Sequence, residues 1–247
     1  MFHTFFYEPI YNLLVLVLTI VPLHDIGTAI VVVTCIVKFI LLPLNLSALR
    51  TQYAMKRLEP EMNRIKELQK TKPQEASKMM IDLYRREKVN PFASLFAVIL
   101  QIPIFFALYF VFSKGLVSDP ESLYSFVSFP EKLHIFAFGL FDVTQKNIPI
   151  ALLVGLSSYV LARRQTVDMV VKKESHEEES FQDHFMKSMK IQMLYVLPVI
   201  IGFSSAVLPS ALGLYWFVSN VISYIQDVYM KNKLAHLHPS KLNTSNK

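Results

Sequence analysis

The stretch CIVKFILLPLNL, residues 35–46, carries a lysine where an ionised side chain is energetically costly. Lys38 lies about half-way along a run of 20 mostly apolar residues, from Gly27 to Leu46. A helix of that length can cross a bilayer. A lysine at its centre raises the free energy of membrane insertion by about 2.5–3.5 kcal/mol. Lys38 therefore needs a specific partner or role.

Three explanations for Lys38 differ in what surrounds the ammonium group. Snorkelling to the interface is disfavoured because Arg50 lies twelve residues away, about 18 Å along a helix, whereas a lysine side chain reaches roughly 6 Å. A buried ion pair is disfavoured because Asp and Glu are absent from comparable depth in the predicted spans, with Asp227 near the end of the last one. A hydrated cavity that accepts a transient polar or acidic guest is favoured.

Other polar residues of the apolar runs recur at helical spacings and predict a groove around Lys38. On the first run they are Thr34, Lys38 and Asn45, and on the second they are Ser94 and Gln101. The last run carries Trp216, Ser219, Asn220, Ser223, Gln226 and Asp227 along one face. These three stripes predict a polar, basic groove between membrane helices.

Catalytic and metal-binding motifs do not emerge from the sequence. Walker loops, HExxH, GxSxG and Ser/His/Asp arrangements are missing. His176 and His184 stand in a charged, solvated stretch whose spacing does not form a closed metal site. The single cysteine, Cys35, excludes an internal disulfide. We expect neither an enzyme nor a bound cofactor or metal, and we expect binding and passage instead.

Composition and hydropathy predict an all-α integral membrane protein with five spans. Hydrophobic residues make up 53% of the 247 residues, and the mean hydropathy is +0.37. The predicted order is an N-terminal segment with an interfacial helix (1–26), a first span (27–48), a cytoplasmic helical hairpin (49–90), a second span (91–113), an extracytoplasmic loop (114–147), a third span (148–165), a cytoplasmic loop (166–189), a fourth span (190–208), a fifth span (211–230) and a basic tail (231–247). The N-terminal helix is assigned to the interface, with a sixth span as the alternative, because its apolar core, residues 10–21, would reach only about 18 Å.

The distribution of basic residues predicts the orientation of the chain. Residues 49–90 carry eleven Lys or Arg and residues 163–190 carry six, whereas residues 113–147 carry three. Because basic loops remain in the cytoplasm, the N-terminus is predicted outside and the C-terminus inside the cell membrane.

Two amphipathic arms predict the hairpin of residues 49–90. Apolar residues recur with helical period on both arms, at Met55, Leu58, Met62 and Ile65, and then at Ala76, Met79, Met80 and Leu83. Pro73 suits the first turn of the second arm, and Pro60 predicts a kink or a new helical segment in the first. Mutual contact of the arms explains most of this pattern, and contact of the methionines with apolar substrate segments is a second interpretation.

The chain resembles the YidC membrane protein insertases and their mitochondrial oxidase-assembly and chloroplast albino relatives. The resemblance covers residues 6–231 and is carried by TCIVKFILLPL, LEPEMNRIKE, YRREKVNPFASLFAVILQIPIFFALYF and LPSALGLYWFVSNVISYIQ. Each motif is weak by itself, and together they are specific. The family usually has arginine at the position of Lys38. The chain is expected to be the compact form, without a large extracytoplasmic domain.

The resemblance implies the function of an insertase or chaperone that moves weakly hydrophobic spans into the bilayer without ATP. It implies a groove open to the cytoplasm and to lipid, with Lys38 as its basic residue, Gln101 as its polar residue and Trp216 as its aromatic residue. It also implies an apolar slide for the arriving helix that includes Tyr215, Phe217 and Val218. The implied partners are nascent membrane proteins and the lipid bilayer, with the ribosome and the secretion channel as further candidates, and no DNA contact is expected.

A small ion or solute transporter is the alternative function, since it too would place a charge at mid-membrane. Transporters of this kind often contain internal repeats, and the two halves of this sequence show none. A lipid-modifying enzyme would need a nucleophile or an acid/base pair at one depth, and none is evident.

Overall fold

The computed structural model describes residues 1–69, 71–87, 89–90, 92–114, 119–130, 133–166 and 191–237. These residues confirm the all-α expectation, apart from one short pair of strands. The helices are α1 (Glu8–Ile20), α2 (Ile26–Ile40), α3 (Leu42–Gln69), α4 (Pro73–Arg86), α5 (Phe92–Lys114), α6 (Ile148–Thr166), α7 (Leu197–Val207) and α8 (Ser210–Leu237). Wide π-helical turns precede α1 at His3–Tyr7 and α7 at Gln192–Val196. The strands are β1 (Phe136–Ala137) and β2 (Phe141–Asp142), which pair antiparallel.

The chain divides into two compact units. The first contains Met1–Ile40 and Ile102–Tyr224, and the second contains Leu41–Gln101 and Ile225–Lys247.

The N-terminal helix of the first unit has a largely buried face. Tyr11, Leu14 and Leu18 of α1 are fully buried. Asn12, also buried, donates to the carbonyl oxygen of Ser122 at 2.8 Å and accepts from the amide of Tyr124 at 2.7 Å. Both the nitrogen and the oxygen of the buried Asn12 side chain are therefore hydrogen-bonded. Asn12 thus ties α1 to the loop between α5 and α6.

Asp25 starts α2 and ties it to the strand pair. Its Oδ1 accepts from the amide of Thr28 at 2.6 Å and from the Thr28 hydroxyl at 2.7 Å, which is the geometry of a helix N-cap. Its Oδ2 accepts from the amide of Phe138 at 2.8 Å. Ala137 of β1 lies directly against Gly27, where an added Cβ would collide with the Ala137 side chain.

Helices α6 and α7 cross at a pair of glycines. A Cβ built on Gly202 would lie 3.1 Å from the Cα of Gly155, whereas one built on Gly155 would lie 3.6 Å from the Cα of Gly202. The absence of side chains at both positions lets the two backbones approach closely, as small residues do in membrane helix pairs.

In the second unit, α3 and α4 form an antiparallel hairpin. Its core contains Leu58, Ile65, Ala76, Leu83 and Val89. Helix α4 begins at Pro73, whose fixed φ and missing N–H suit the first turn. Helix α3 runs through Pro60 without ending, so a new segment does not begin there.

The first predicted span, residues 27–48, is interrupted. Helix α2 ends at Ile40 and α3 begins at Leu42. Pro43 explains the break, since it lacks an amide hydrogen and its ring clashes with the carbonyl group four residues earlier. By length and apolar composition, Ile26–Ile40 and Leu42–Leu58 satisfy the criteria for a membrane span only as a bent pair.

The N-terminal helix is longer than its apolar core suggested. The helical segment His3–Ile20 has 18 residues and is the one helix of the described residues that is long and apolar enough to cross a membrane alone. It extends about 27 Å. Its length therefore no longer favours an interfacial position over a span. Ile99–Ser113 and Gln192–Val207 are apolar but shorter.

Candidate functional site

The side chain of Lys38 is buried between two helices of the first unit. Lys38 is 8% exposed, and its Nζ donates to the hydroxyl oxygen of Ser223 on α8 at 3.2 Å. Within the described part of the chain this is its one hydrogen bond, and carboxylates do not come within 4 Å of it. Lys38 is therefore a buried basic side chain with a neutral partner, which is an unfavourable arrangement for a purely structural residue.

Two neighbours on the predicted stripes differ in how their hydroxyl groups are used. Thr34, one turn before Lys38, is 1% exposed and donates to the carbonyl oxygen of Ile30 at 2.6 Å. Its hydroxyl is thus satisfied within its own helix. Ser219, one turn before Ser223, is also buried, and its hydroxyl oxygen has no partner among the residues described. Ser219 therefore offers a buried polar atom on the same helix as the acceptor of Lys38.

Asn220 connects two helices. Its Nδ2 donates to the hydroxyl oxygens of Ser157 at 3.0 Å and Ser158 at 2.9 Å, both on α6. The predicted groove residue is thus engaged in a contact between α6 and α8. Sequence reasoning missed the two serines, although the polar pair within LVGLSSYVL was a signal.

The aromatic residue and the slide residues occupy different environments. Trp216 is partly buried and stacks on Phe105 of α5, with ring centroids 4.9 Å apart and planes 13° apart. Tyr215 is only 2% exposed, so it does not reach the surface. Phe217 and Val218 are partly exposed. Of the three residues predicted to form the slide, Phe217 and Val218 therefore have exposed surface and Tyr215 does not.

Three predicted groove residues belong to the second unit. Asn45 lies on α3, beyond the break at Leu41, so the single-helix geometry that aligned it with Lys38 does not apply. Gln101 of α5 is partly exposed. Ser94 lies in α5, and its side chain is outside the described residues.

A polar contact in the second unit was not predicted. The phenol of Tyr53 on α3 donates to Oδ1 of Asp227 on α8 at 2.8 Å. Asp227 is 2% exposed, so this bond compensates part of the cost of burying a carboxylate. The fifth-span stripe in the sequence contained Asp227, but Tyr53 lies 174 residues earlier and carried no comparable signal.

The hairpin residues divide between core and surface. Leu58, Ile65 and Leu83 are core residues, and Met55, Met62 and Met80 pack against them. Met79 is 44% exposed. The first interpretation, that the stripes hold the arms together, therefore accounts for all of the predicted residues except Met79.

Ion pairs also join the two arms. Nη2 of Arg86 lies 2.8 Å from Oε1 of Glu61, and Nη2 of Arg57 lies 2.8 Å from Oε2 of Glu87. The carboxylate of Glu61 raises the pKa of Arg86, and burial raises the pKa of Tyr84. Ion pairs of this kind at a surface contribute little to stability, because solvent and salt screen the charges.

Groups of three or more His, Cys, Asp or Glu that could hold a metal ion do not occur among the described residues. Lys38 and Ser223 themselves can take part in hydrogen bonds, which are stronger when one partner is charged.

Comparison with known proteins identifies relatives. The chain is 29% identical over 202 residues to a membrane protein insertase YidC from Francisella philomiragia, 29% over 212 residues to one from Geobacter metallireducens, and 30% over 202 residues to one from Francisella tularensis subsp. novicida. These matches cover 81–86% of this chain but 31–34% of the relatives, so the chain spans about a third of the length of the curated relatives it matches. The model of the 60Kd inner membrane protein family matches residues 18–237. Because that match covers most of the sequence, the chain belongs to the 60Kd inner membrane protein family, the family of the YidC insertases.

Proposed function

We propose that this protein is a membrane protein insertase and chaperone. It accepts nascent or newly made membrane proteins, holds their polar flanks near Lys38 and releases their apolar helices into the bilayer without ATP. The curated relatives are named membrane protein insertases, which supports this assignment. The match of this chain to a family of inner membrane proteins also supports a location in the cell membrane.

The observation that carries the proposal is the environment of Lys38. A lysine ammonium has three N–H donors, and only one of them has an acceptor within the described residues, the neutral hydroxyl of Ser223. A carboxylate or carbonyl group of a substrate would satisfy the remaining donors with charge-assisted hydrogen bonds. The site is thus better suited to a transient guest than to a permanent structural pair.

The energetics of insertion explain why ATP is not needed. Each Leu, Ile, Phe or Val at the bilayer centre contributes about −0.3 to −0.6 kcal/mol, so transfer of an apolar helix is downhill. The barrier lies in moving the polar flank. A basic groove open to the cytoplasm and to lipid lowers that barrier, and partly exposed Phe217 and Val218 provide an apolar surface for the departing helix.

The hairpin and the basic loops complete the proposal. Both basic loops lie in the cytoplasm, with the N-terminus outside. There the hairpin receives substrate, with the ribosome and the secretion channel as partners, and exposed Met79 is its candidate contact. A flexible, polarizable methionine suits varied apolar sequences.

Protease protection in liposomes tests the proposal. A short single-span substrate with an acidic translocated end is added to liposomes containing the wild type, Lys38→Arg, Lys38→Ala or the control Lys146→Ala, which changes an exposed lysine. We expect protection of the substrate with the wild type, Lys38→Arg and Lys146→Ala, and loss of protection with Lys38→Ala. A substrate without the acidic residues should depend less on Lys38.

Equal insertion by all four proteins would contradict the charged-groove mechanism. Failure of the wild type itself, in liposomes where its melting temperature shows that it is folded, would contradict insertase activity. Ion flux that stops in Lys38→Ala would instead support the transporter.

A further inference from the structure

The strand pair between α5 and α6 exposes a cluster of large apolar side chains. They are Ile135, Phe136, Phe138 and Leu140, which we call the apolar tip, and they are 38%, 51%, 50% and 79% exposed. The sequence of residues 135–141, IFAFGLF, contains no charged or polar side chain. A cluster of this kind on a surface usually marks a contact with another apolar phase or partner.

The apolar tip is held in place by hydrogen bonds. The amide of Phe138 donates to Oδ2 of Asp25 at 2.8 Å, and the amide of Ile26 donates to the carbonyl oxygen of His134 at 3.2 Å. On the inner side, Ala137 is fully buried against Gly27. Turning the tip inward would therefore break the hydrogen bonds that join it to Asp25 and Ile26.

Backbone strain accompanies this arrangement. Phe138 has a φ of +54°, in the left-handed region that bulky residues rarely adopt, and Gly139 follows with a φ of +71°. Strained residues persist when surrounding contacts fix them, and they concentrate at functional positions. The hydrogen bond from the Phe138 amide to Asp25 fixes the backbone in this conformation. In this conformation the side chain of Phe138 is exposed.

The position of the tip favours lipid over a protein partner. Asp25 precedes the first residue of α2, and α1 ends at Ile20, which is itself 75% exposed. The tip is thus fixed beside the start of α2, close in the chain to the end of α1. In a membrane protein, the ends of apolar helices lie near the interface between lipid and water. Aromatic residues are enriched at that depth. Four side chains are also far fewer than the roughly 20–30 residues per partner of a stable protein interface.

We propose that the apolar tip inserts into the lipid interface at the α1–α2 end of the first unit and anchors the loop there. The occupant of the surface is the boundary between lipid head groups and acyl chains. Insertion buries the four side chains, and Asp25 transmits the resulting position to the start of α2.

Site-directed spin labelling tests the position of the tip. Cys35 is the only cysteine, so Cys35→Ser gives a background in which one label site can be introduced. Labels are attached to Leu140→Cys, to Phe136→Cys as an independent site, and to Gln145→Cys as an exposed polar control in the same loop. Each reconstituted variant is first required to melt as the background protein does.

Collision with three relaxation agents reports the environment of each label. These agents are oxygen, which concentrates in the bilayer, a nickel complex soluble in water, and nickel chelated to a lipid head group. At residues 136 and 140 we expect strong relaxation by oxygen and by the nickel lipid, with loss of access to the soluble complex. At residue 145 we expect the soluble complex to dominate.

A profile at residues 136 and 140 that matches residue 145 would overturn the proposal, because the tip would then lie in water. Protection from all three agents would also overturn it, because the tip would then be covered by protein, such as a second copy of the chain.

Discussion

The ammonium of Lys38 and the hydroxyl of Ser223 lie 3.2 Å apart, although 185 residues separate them in the sequence. This contact joins α2 to α8 and gives the buried charge a single neutral acceptor within the described residues. A contact that only held the helices together would be more stable between two apolar side chains. This environment is the basis of our proposal that Lys38 serves function rather than stability.

The first prediction concerns stability and function at this contact. Lys38→Met should raise the free energy of unfolding by about 1–3 kcal/mol, because it removes a buried charge while retaining side-chain length. The same variant should lose insertion of acidic substrates. Thermal unfolding in detergent, compared with protease protection in liposomes, measures both effects.

Ser223→Ala provides the matched test. It should lower the free energy of unfolding by about 1–3 kcal/mol in the wild type, since the ammonium loses its acceptor. In the Lys38→Met background it should have little effect. A destabilised Lys38→Met protein, or equal effects of Ser223→Ala in both backgrounds, would show that the contact is structural.

The second prediction concerns Asn220. Asn220→Ala should lower the melting temperature, because it removes the amide group that donates to both serines of α6. The free energy of unfolding should fall by about 1–2 kcal/mol. Ser157→Ala and Ser158→Ala should each lower the free energy of unfolding by less, since Asn220 keeps one serine acceptor in either variant. Below the melting transition, insertion by Asn220→Ala should match the wild type. A selective loss of insertion at unchanged stability would place Asn220 in the groove.

The third prediction concerns the glycine crossing of α6 and α7. Gly202→Ala should destabilise the protein by about 1–3 kcal/mol, because its Cβ would lie 3.1 Å from the Cα of Gly155 and would push the helices apart. Gly155→Ala should be neutral or stabilising, since its Cβ meets an ordinary contact at 3.6 Å and alanine favours the helix by about 1 kcal/mol. The melting temperatures of the two variants measure this difference. Equal changes in melting temperature would contradict the predicted asymmetry.

The fourth prediction concerns the hairpin. Leu83→Ala should destabilise it by about 2–5 kcal/mol, because Leu83 is 2% exposed in the core between the arms. Met79→Ala should change its stability by less than about 0.5 kcal/mol. Rates of limited proteolysis within the hairpin of the full-length protein measure this difference.

Met79 also separates the two interpretations of the hairpin. Met79→Asp should reduce crosslinking between the hairpin and an arriving apolar substrate, while the control Lys78→Asp, at the adjacent exposed position, should reduce it less. Equal crosslinking in Met79→Asp and the wild type would mean that Met79 does not contact substrate.

The fifth prediction concerns the cap of α2. Asp25→Ala should lower the free energy of unfolding by about 2 kcal/mol or more, because it removes the acceptor of the Thr28 and Phe138 amides. Thr28→Val removes only the hydrogen bond from the Thr28 hydroxyl to Asp25, so it should lower the free energy of unfolding by less. Amide hydrogen exchange at Phe138 should accelerate in Asp25→Ala and remain slow in Thr28→Val. Unchanged exchange in Asp25→Ala would show that the loop is held by other contacts.

The sequence by itself determined where most helices form. Hydropathy placed the third apolar helix at residues 148–165, and α6 runs from Ile148 to Thr166. The periodicity of Leu58, Ile65 and Leu83 indicated the inner faces of the hairpin, where these residues form the core. Such features follow from local composition, because an apolar environment requires backbone hydrogen bonds to be made within a helix.

Tertiary structure decided which polar residues meet. Hydropathy and helical spacing gave Lys38 and Asn220 similar roles, yet Lys38 contacts Ser223 while Asn220 contacts Ser157 and Ser158. The break at Leu41 also placed Asn45 in a different unit from Lys38. These outcomes depend on how each helix is rotated and where helices cross, and the contacts that fix rotation and crossing join residues far apart in the chain. Periodicity within one helix contains no information about its neighbours, so the partners of Lys38 could be identified only in three dimensions.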